Sequence, residues 1–331
     1  MQLHLFEGKE AFTALAETWD EVARHGMTDT PFQTWAYQRA WWEYLQPAGA
    51  TLHTVVAYEG KRPFAIGCFY LVDGVVHFNG CLEETDYLDL IAAPQDAEAG
   101  WTAVFEAFHS PDFPQWHTLD FCNVPNASLT RTILPQLAAQ YGYNWQESVQ
   151  EVCPVIKLAD TFDGYLDTID SKQRREISRK LRRAQASGVR LRAVEADDDV
   201  KTAVDQFLTL LQASTFEKRD WLNDGRRALF YDTAAAAQKA GTLQLLFVEV
   251  NGERAAALFN FDYKGRVWVY NSGLEPNAYG PLSLGVVLTA MAIEYAIENG
   301  RSEFDFLRGN EIYKYRFGAQ DTTIYRQHIT R

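Results

Sequence analysis

Two stretches of this chain repeat one pattern, and the repeat limits the possible folds more than any other feature. Residues 52–80, LHTVVAYEGKRPFAIGCFYLVDGVVHFNG, align with residues 243–273, LQLLFVEVNGERAAALFNFDYKGRVWVYNSG. Each starts with an apolar run and turns at Glu59-Gly60 or Asn251-Gly252, with Arg62 or Arg254 two residues on. A second run reaches Asp73-Gly74 or Lys264-Gly265, and a third ends at Asn79-Gly80 or Ser272-Gly273. X-Gly pairs between β-rich runs are hairpin signals. Each half therefore predicts a three-stranded antiparallel meander.

The flanks repeat as well. Helical sequence over 96–109 leads into Thr118-Leu119-Asp120-Phe121, and a helix over 281–299 leads into Glu303-Phe304-Asp305-Phe306. Pro281 suits a first helical turn and Gly300 a stop. Helical stretches over 8–25 and 34–46 precede the first meander, and 198–213 and 223–240 precede the second. The order helix, helix, meander, helix, strand thus occurs twice, and Asp120 and Asp305 hold equivalent places. Two domains are expected, residues 1–150 and 151–331, the second including a strand at 151–158 and a basic linking helix at 171–187.

Charge singles out that helix. The chain's formal charge is −13, yet residues 171–192 carry nine Lys or Arg against Glu176 alone, a local +8 that leaves −21 elsewhere. The overall acidity argues against DNA binding. With 47% hydrophobic residues the 331-residue chain can bury a large core. No apolar run reaches the roughly 18–20 residues that span a bilayer, so no membrane insertion is expected. MQLHLFEGKE lacks the basic and apolar regions of a signal peptide. Cys68, Cys81, Cys122 and Cys153 show no C-x-x-C spacing, which predicts reduced thiols and a cytoplasmic protein. Scattered histidines argue against a metal site, and Pro281 breaks any G-x-S-x-G elbow. Neither a Walker A nor a Rossmann fingerprint is present.

Phe304 to Arg316, FDFLRGNEIYKYR, together with Arg174 to Arg183, RREISRKLRR, and the helix 281–299 resembles the double-GNAT group. That group includes the FemABX aminoacyl transferases and, more closely, the CelD/BcsL cellulose-biosynthesis-like acetyltransferases. PFQTWAYQRAWWEYL (31–45) and TDYLDLIA (85–92) are similar to stretches of these proteins. The resemblance implies an α/β fold of tandem GNAT-like (acyl-CoA N-acyltransferase) domains, with mixed sheets, flanking helices and a shared cleft. It also implies direct transfer from acetyl-CoA or another acyl-CoA to an amine or hydroxyl of a small-molecule or nucleotide-sugar acceptor, without metal. A tRNA-linked aminoacyl donor is the alternative, disfavoured by the lack of a coiled-coil arm. A GNAT pair that only binds a nucleotide or partner is a third reading.

The residues divide accordingly. Asp305, at a strand end, would orient a neighbour or accept a proton; its structural alternatives are an ion pair with Arg308 or Lys314, or a turn cap. By resemblance, Tyr313 would protonate a leaving thiolate. The competing reading makes Tyr313, Tyr315 and Phe317 the packed face of a strand, with Lys314 and Arg316 toward water. Arg308 and Lys314 suit an anionic ligand, and Asn310 stands where relatives often carry an acid. Arg175, Arg179 and Arg183 share a helical face suited to phosphates, or simply to solvent. The donor loop runs from Asn277 through Gly280, Leu282 and Ser283 to Gly285. Asn277 replaces the usual Gln or Arg, while the amides of Leu282, Ser283 and Leu284 are candidates for a phosphate. Backbone pairing is expected along Tyr270 to Gly273, with a nearby amide polarising the acyl carbonyl. Asp86 and Asp89 are read on one face of a strand, with Asp86 a candidate acceptor ligand.

Overall fold

The computed structural model describes residues 2–81, 84–276 and 279–331. They divide into two compact units, residues 1–151 with 323–331, and residues 152–322.

In the first unit, β1 (Gln2–Glu7) lies beside β2 (Thr51–Glu59) and is followed in the chain by α1 (Glu10–Ala14), α2 (Trp19–Arg24) and α3 (Trp35–Leu45). The meander is β2, β3 (Arg62–Val72) and β4 (Val75–Phe78). A short β5 (Ile91–Ala92) pairs β3. Then α4 (Ala97–His109) leads to β6 (Thr118–Pro125), parallel to β4. α5 (Thr130–Gln140) and β7 (Asn144–Lys157) follow, and β7 carries the chain into the second unit. Phe69, Phe78, Trp101 and Phe121 pack ring against ring in the core.

The second unit continues with α6 (Phe162–Thr168), α7 (Ser171–Ala186), β8 (Arg190–Ala193), α8 (Val200–Ser214), α9 (Phe216–Trp221) and α10 (Asp224–Ala240). Its meander is β9 (Leu243–Val250), β10 (Glu253–Tyr263) and β11 (Arg266–Leu274). α11 (Leu284–Glu298) crosses to β12 (Glu303–Asp305), parallel to β11 and antiparallel to β7. α12 (Ile312–Arg316) precedes β13 (Gln320–Thr330), whose later part pairs β6 in the first unit. The last strand therefore belongs with residues 1–151 and not with the segment before it.

The repeat is real in three dimensions. Asp120 and Asp305 each stand third in the strand that runs parallel to the last meander strand. Turn chemistry explains the hairpins: Asp73-Gly74, Asn251-Gly252 and Lys264-Gly265 all take positive φ at both positions. That is the signature of type I′ turns, whose twist matches the strands they join. α7 buries Ile177 and Ala184 in a core shared with Val287, Ala290 and Ile293 of α11, leaving its arginines outward.

Three expectations fail. Residues 85–90 form no strand; only Ile91–Ala92 pairs, and Asp86 and Asp89 are buried in irregular backbone. Tyr313–Arg316 is helical, not extended. Cys81 and Cys122 are joined, because the segment after β4 brings their Cα atoms to 5.7 Å. Cys68 and Cys153 are free and buried.

Candidate active site

In the second unit β11 and β12 pair only over Arg266–Trp268 and Glu303–Asp305, and β11 then runs on to Leu274 without β12 beside it. The strands part into a wedge. Its two arms and the helices at its mouth carry most of the residues singled out by sequence.

On the β12 arm, Asp305 is 5% exposed and its Oδ1 accepts the Leu307 backbone N–H at 2.7 Å. That bond holds Leu307 in the left-handed region at φ 57, a conformation a leucine rarely adopts unaided. Gly309 follows at φ 108 and donates its N–H to Val152 O. The tight turn aims three carbonyls inward, and Lys314 meets them. Its Nζ donates to Leu307 O (3.3 Å), Arg308 O (2.7 Å) and Gly309 O (3.0 Å), and pairs with Glu311 Oε2 at 2.9 Å. Lys314 is only 3% exposed, whereas Tyr313 and Tyr315 are 42% and 37% exposed. The inside–outside pattern of an alternating strand is inverted, with the lysine in and the phenols out. Although the residue is 42% exposed, desolvation around its hydroxyl and then the Glu311 carboxylate push the Tyr313 phenol up, so it stays protonated. Arg308 is half-buried and Asn310 exposed.

On the β11 arm, Gly273 is required by a close approach: a Cβ there would lie 2.4 Å from Leu211 N in α8. Tyr270 packs on Phe230, Phe259 and Phe261. Leu274 donates its N–H to Ser214 Oγ at 2.8 Å, and Lys218 Nζ donates to Ser272 O and lies 3.2 Å from Ser272 Oγ. Desolvation lowers the Lys218 pKa to about 8, with Glu311 acting the other way. Glu311 thus feels both lysines, one held at each arm. Lys218 stands in no motif, since α9 falls between the two helices expected there, and Glu311 lies within Phe304–Arg316 but its residue type alone assigns it no role.

At the α11 end, Leu282 N and Ser283 N are spent on Tyr279 O (2.9 Å) and Gly280 O (3.2 Å). The candidate amides for a phosphate therefore shift one step from the expected trio, to Leu284 and Gly285, because residues 280–282 form a 3₁₀ turn first. Ser283 enters the helix at φ 54. A Cβ at Gly280 would meet nothing within 4 Å, and one at Gly285 would touch Leu274 Cδ2 at 3.6 Å. Asn277 lies outside the described residues. Arg183 of α7 reaches this turn, donating to Pro281 O at 3.0 Å. Arg179 is paired with Glu176, and Arg175 is exposed further along α7.

The first unit's equivalent wedge is filled by its own chain. Beyond Leu119, β6 is met by the segment after β4: Leu88 N donates to Asn123 O (3.0 Å), Asn123 Nδ2 to Thr85 O (2.7 Å), and Cys81 is bonded to Cys122. Tyr37 Oη donates to Glu84 O at 2.5 Å, pinning the same segment, in which Asp86 is 6% exposed. Asp89 accepts from Thr28 (2.6 Å) and Thr130 (2.5 Å), a structural knot. Burial opposes ionisation of Asp120, but the bidentate Arg326 guanidinium holds its carboxyl below the usual range. Among the described residues no group of His, Cys, Asp and Glu could hold a metal ion, and no helix is long and apolar enough to cross a membrane.

Residues 171–315 match the family model of the acetyltransferase (GNAT) domain. The matched segment, less than half of the chain, has the pattern of a GNAT acetyltransferase domain. The match spans α7 to α12 and so contains both arms of the open wedge. Tandem GNAT-like architecture is shared with solved structures. FemX superposes with a TM-score of 0.69 at 9% identity, covering 99% of this chain and 97% of that one. The C-terminal domain of a putative lysylphosphatidylglycerol synthetase from Agrobacterium fabrum gives 0.62 at 11% identity, covering 96% and 92%. L-PGS from Bacillus licheniformis gives 0.56 at 10% identity over 84% of both chains. At these identities the likeness is one of fold. No curated protein matches the chain by sequence. The GNAT domain makes this an acyltransferase enzyme, as the sequence led us to expect.

Proposed function

We propose that the second unit transfers an acyl group, acetyl from acetyl-CoA in the first instance, directly to an amine or hydroxyl of a sugar-type acceptor. The observation that carries this reading is the open wedge of the GNAT-matched segment, with the α11 N-terminus beside the end of β11. Helix N-termini favour anions, and the Leu284 and Gly285 amides with Arg183 nearby suit a donor phosphate. Arg175 and Arg179 would attract anionic parts of donor or acceptor by charge. Asp305 and Lys314 are proposed to position the turn that carries Arg308 and Asn310 into contact with substrate. Glu311, the exposed carboxylate between the lysines, would take the acceptor's proton. As the acceptor attacks the acyl carbon, the thioester C–S bond breaks with its electron pair leaving on sulfur, and Tyr313 supplies the proton. Proximity and orientation would provide most of the acceleration. A sugar-type acceptor follows from the CelD/BcsL resemblance.

One observation favours a second donor. The free edge of β11, where a pantetheine arm is expected to pair, is already met by Ser214 and Lys218. An aminoacyl ester needs no such pairing, and one structural neighbour bears the name of a putative lysylphosphatidylglycerol synthetase. Calorimetry with acetyl-CoA and with an aminoacyl-tRNA, followed by turnover on amino-sugar and nucleotide-sugar acceptors, separates the readings. Acetyl-CoA binding abolished by Gly280→Trp supports the first. Binding only of the aminoacyl donor supports the second, and binding of donors without turnover on any acceptor refutes both.

A further inference from the structure

The outer edge of β11 has a property that the GNAT match does not assign. Glu275 N donates to Ala255 O, and this fixes the alternation along the strand. Odd-numbered positions near the end bond β10, while Ser272 and Leu274 turn their N–H and C=O groups away from it. Such an edge is a row of open donors and acceptors that readily adds an extended chain.

Here side chains meet three of those groups. Asn271 Oδ1 accepts from Ser272 N at 2.9 Å, Ser214 Oγ accepts from Leu274 N at 2.8 Å, and Lys218 Nζ donates to Ser272 O. The first two caps are local or fixed. Asn271 is the adjacent residue, and Ser214 ends α8, whose backbone lies hard against Gly273. Lys218 is different. It rides on α9, none of whose residues is buried, after the extended break at Thr215 (φ −147°, ψ 163°). Its long side chain can withdraw without moving any strand or long helix.

We propose that Lys218 is a removable cap on the free edge of β11, and that an extended, amide-bearing thioester donor enters the wedge by replacing it at the Ser272 carbonyl. This rests on the acyl-CoA reading above. A donor amide N–H takes the carbonyl by strand addition, and the released ammonium turns to Glu311, whose charge already acts on it. The exchange leaves neither the carbonyl nor the ammonium without a partner. The cap therefore excludes water and non-amide ligands from the edge until a matching donor arrives.

Isothermal titration of acetyl-CoA into wild-type protein, Lys218→Met and Lys218→Arg tests this, after thermal melting has shown each variant folded. Removing the competitor should tighten acetyl-CoA binding by about tenfold in Lys218→Met, the effect of about one charged hydrogen bond. Lys218→Arg, which keeps a charged donor, should stay near wild type. Unchanged or weaker binding by Lys218→Met overturns the cap and leaves the acyl-CoA reading standing. Absence of binding by both wild type and Lys218→Met overturns cap and acyl-CoA reading together. A second measurement needs no variant: because the displaced ammonium pairs with Glu311, amine footprinting should find Lys218 less reactive with CoA bound than without, and unchanged or higher reactivity contradicts the proposal.

Discussion

Replacing Lys314 by Met tests whether this lysine is the keystone of the turn at the wedge. Methionine has nearly the same length, so the change removes charge and hydrogen bonds while conserving volume. Three backbone carbonyls lose their donor, two of them at 2.7 and 3.0 Å and the third at a weaker 3.3 Å. Hydrogen bonds to a charged group contribute about 1.5–3 kcal/mol each, so the two short ones set a gross loss of about 3–6 kcal/mol. Relief from desolvating an ammonium at a 3%-exposed site returns part of that, for a net cost of about 2–4 kcal/mol. The Glu311 pair adds little, because that carboxylate is 57% exposed and such pairs contribute about 0–1 kcal/mol. Urea unfolding followed by circular dichroism should therefore show Lys314→Met strongly destabilised and Glu311→Gln nearly unchanged, with similar m-values. Equal losses in the two variants would mean that the ion pair, not the carbonyls, holds the turn. A loss below about 0.5 kcal/mol in Lys314→Met would refute the keystone reasoning altogether.

Other changes have definite outcomes. Gly273→Ala places a methyl 2.4 Å from Leu211 N and 2.6 Å from Leu210 C, both backbone, so chemical denaturation should show a loss of about 2 kcal/mol or more. Lys218 has a folded pKa lowered from 10.5 to about 8, so the unfolded chain binds its proton more tightly. Its penalty is present in full below pH 8 and fades as pH rises toward 10.5; with partial screening this is a gain of about 1–3 kcal/mol, absent from Lys218→Met when stability is measured across that range. Asp120 titrates below its unfolded value, so its contribution is present above the usual carboxylate range and is lost as pH falls below it. Asp120→Asn should flatten that acid limb in pH-dependent melting. Gly280→Trp has open space around it, so its melting temperature should match wild type even as donor binding is lost.

The sequence made the scaffold legible because the signals there are local. Asp73-Gly74, Asn251-Gly252 and Lys264-Gly265 announce their hairpins by the positive φ they tolerate, whatever packs around them. α7 discloses its faces by period alone, with Ile177 and Ala184 inward and its arginines outward. The wedge was harder to read. In five residues, Ile312–Arg316, periods of 2 and 3.6 give nearly the same pattern, and tyrosines are at home in strands. Nothing short of the Leu307–Gly309 carbonyls says that Lys314 points inward, and those carbonyls converge only after Asp305 has stabilised a left-handed leucine. Lys218 and Ser214 matter because of a strand about 55–60 residues later in the chain, and no motif spans that separation. The same applies to Cys81 and Cys122, whose 41-residue separation carries no spacing code.

The two wedges show how one architecture can be used in two ways. Where β4 and β6 part, backbone from residues 84–90 and the Cys81–Cys122 bond fill the gap, and displacing them would break main-chain hydrogen bonds and a covalent link. Where β11 and β12 part, the equivalent groups are met by Asn271, Ser214 and Lys218, and the last of these is released by rotating one side chain. A main-chain filling is part of the fold and resists exchange on the timescale of binding. A side-chain cap can exchange for a ligand at the cost of one hydrogen bond, which the ligand restores. That difference, more than any single acid or base, supports the proposal that the chemistry lies in the second unit. It also explains why the first can hold Asp120 in a permanent ion pair with Arg326 while Asp305 remains committed to the turn beside an open wedge.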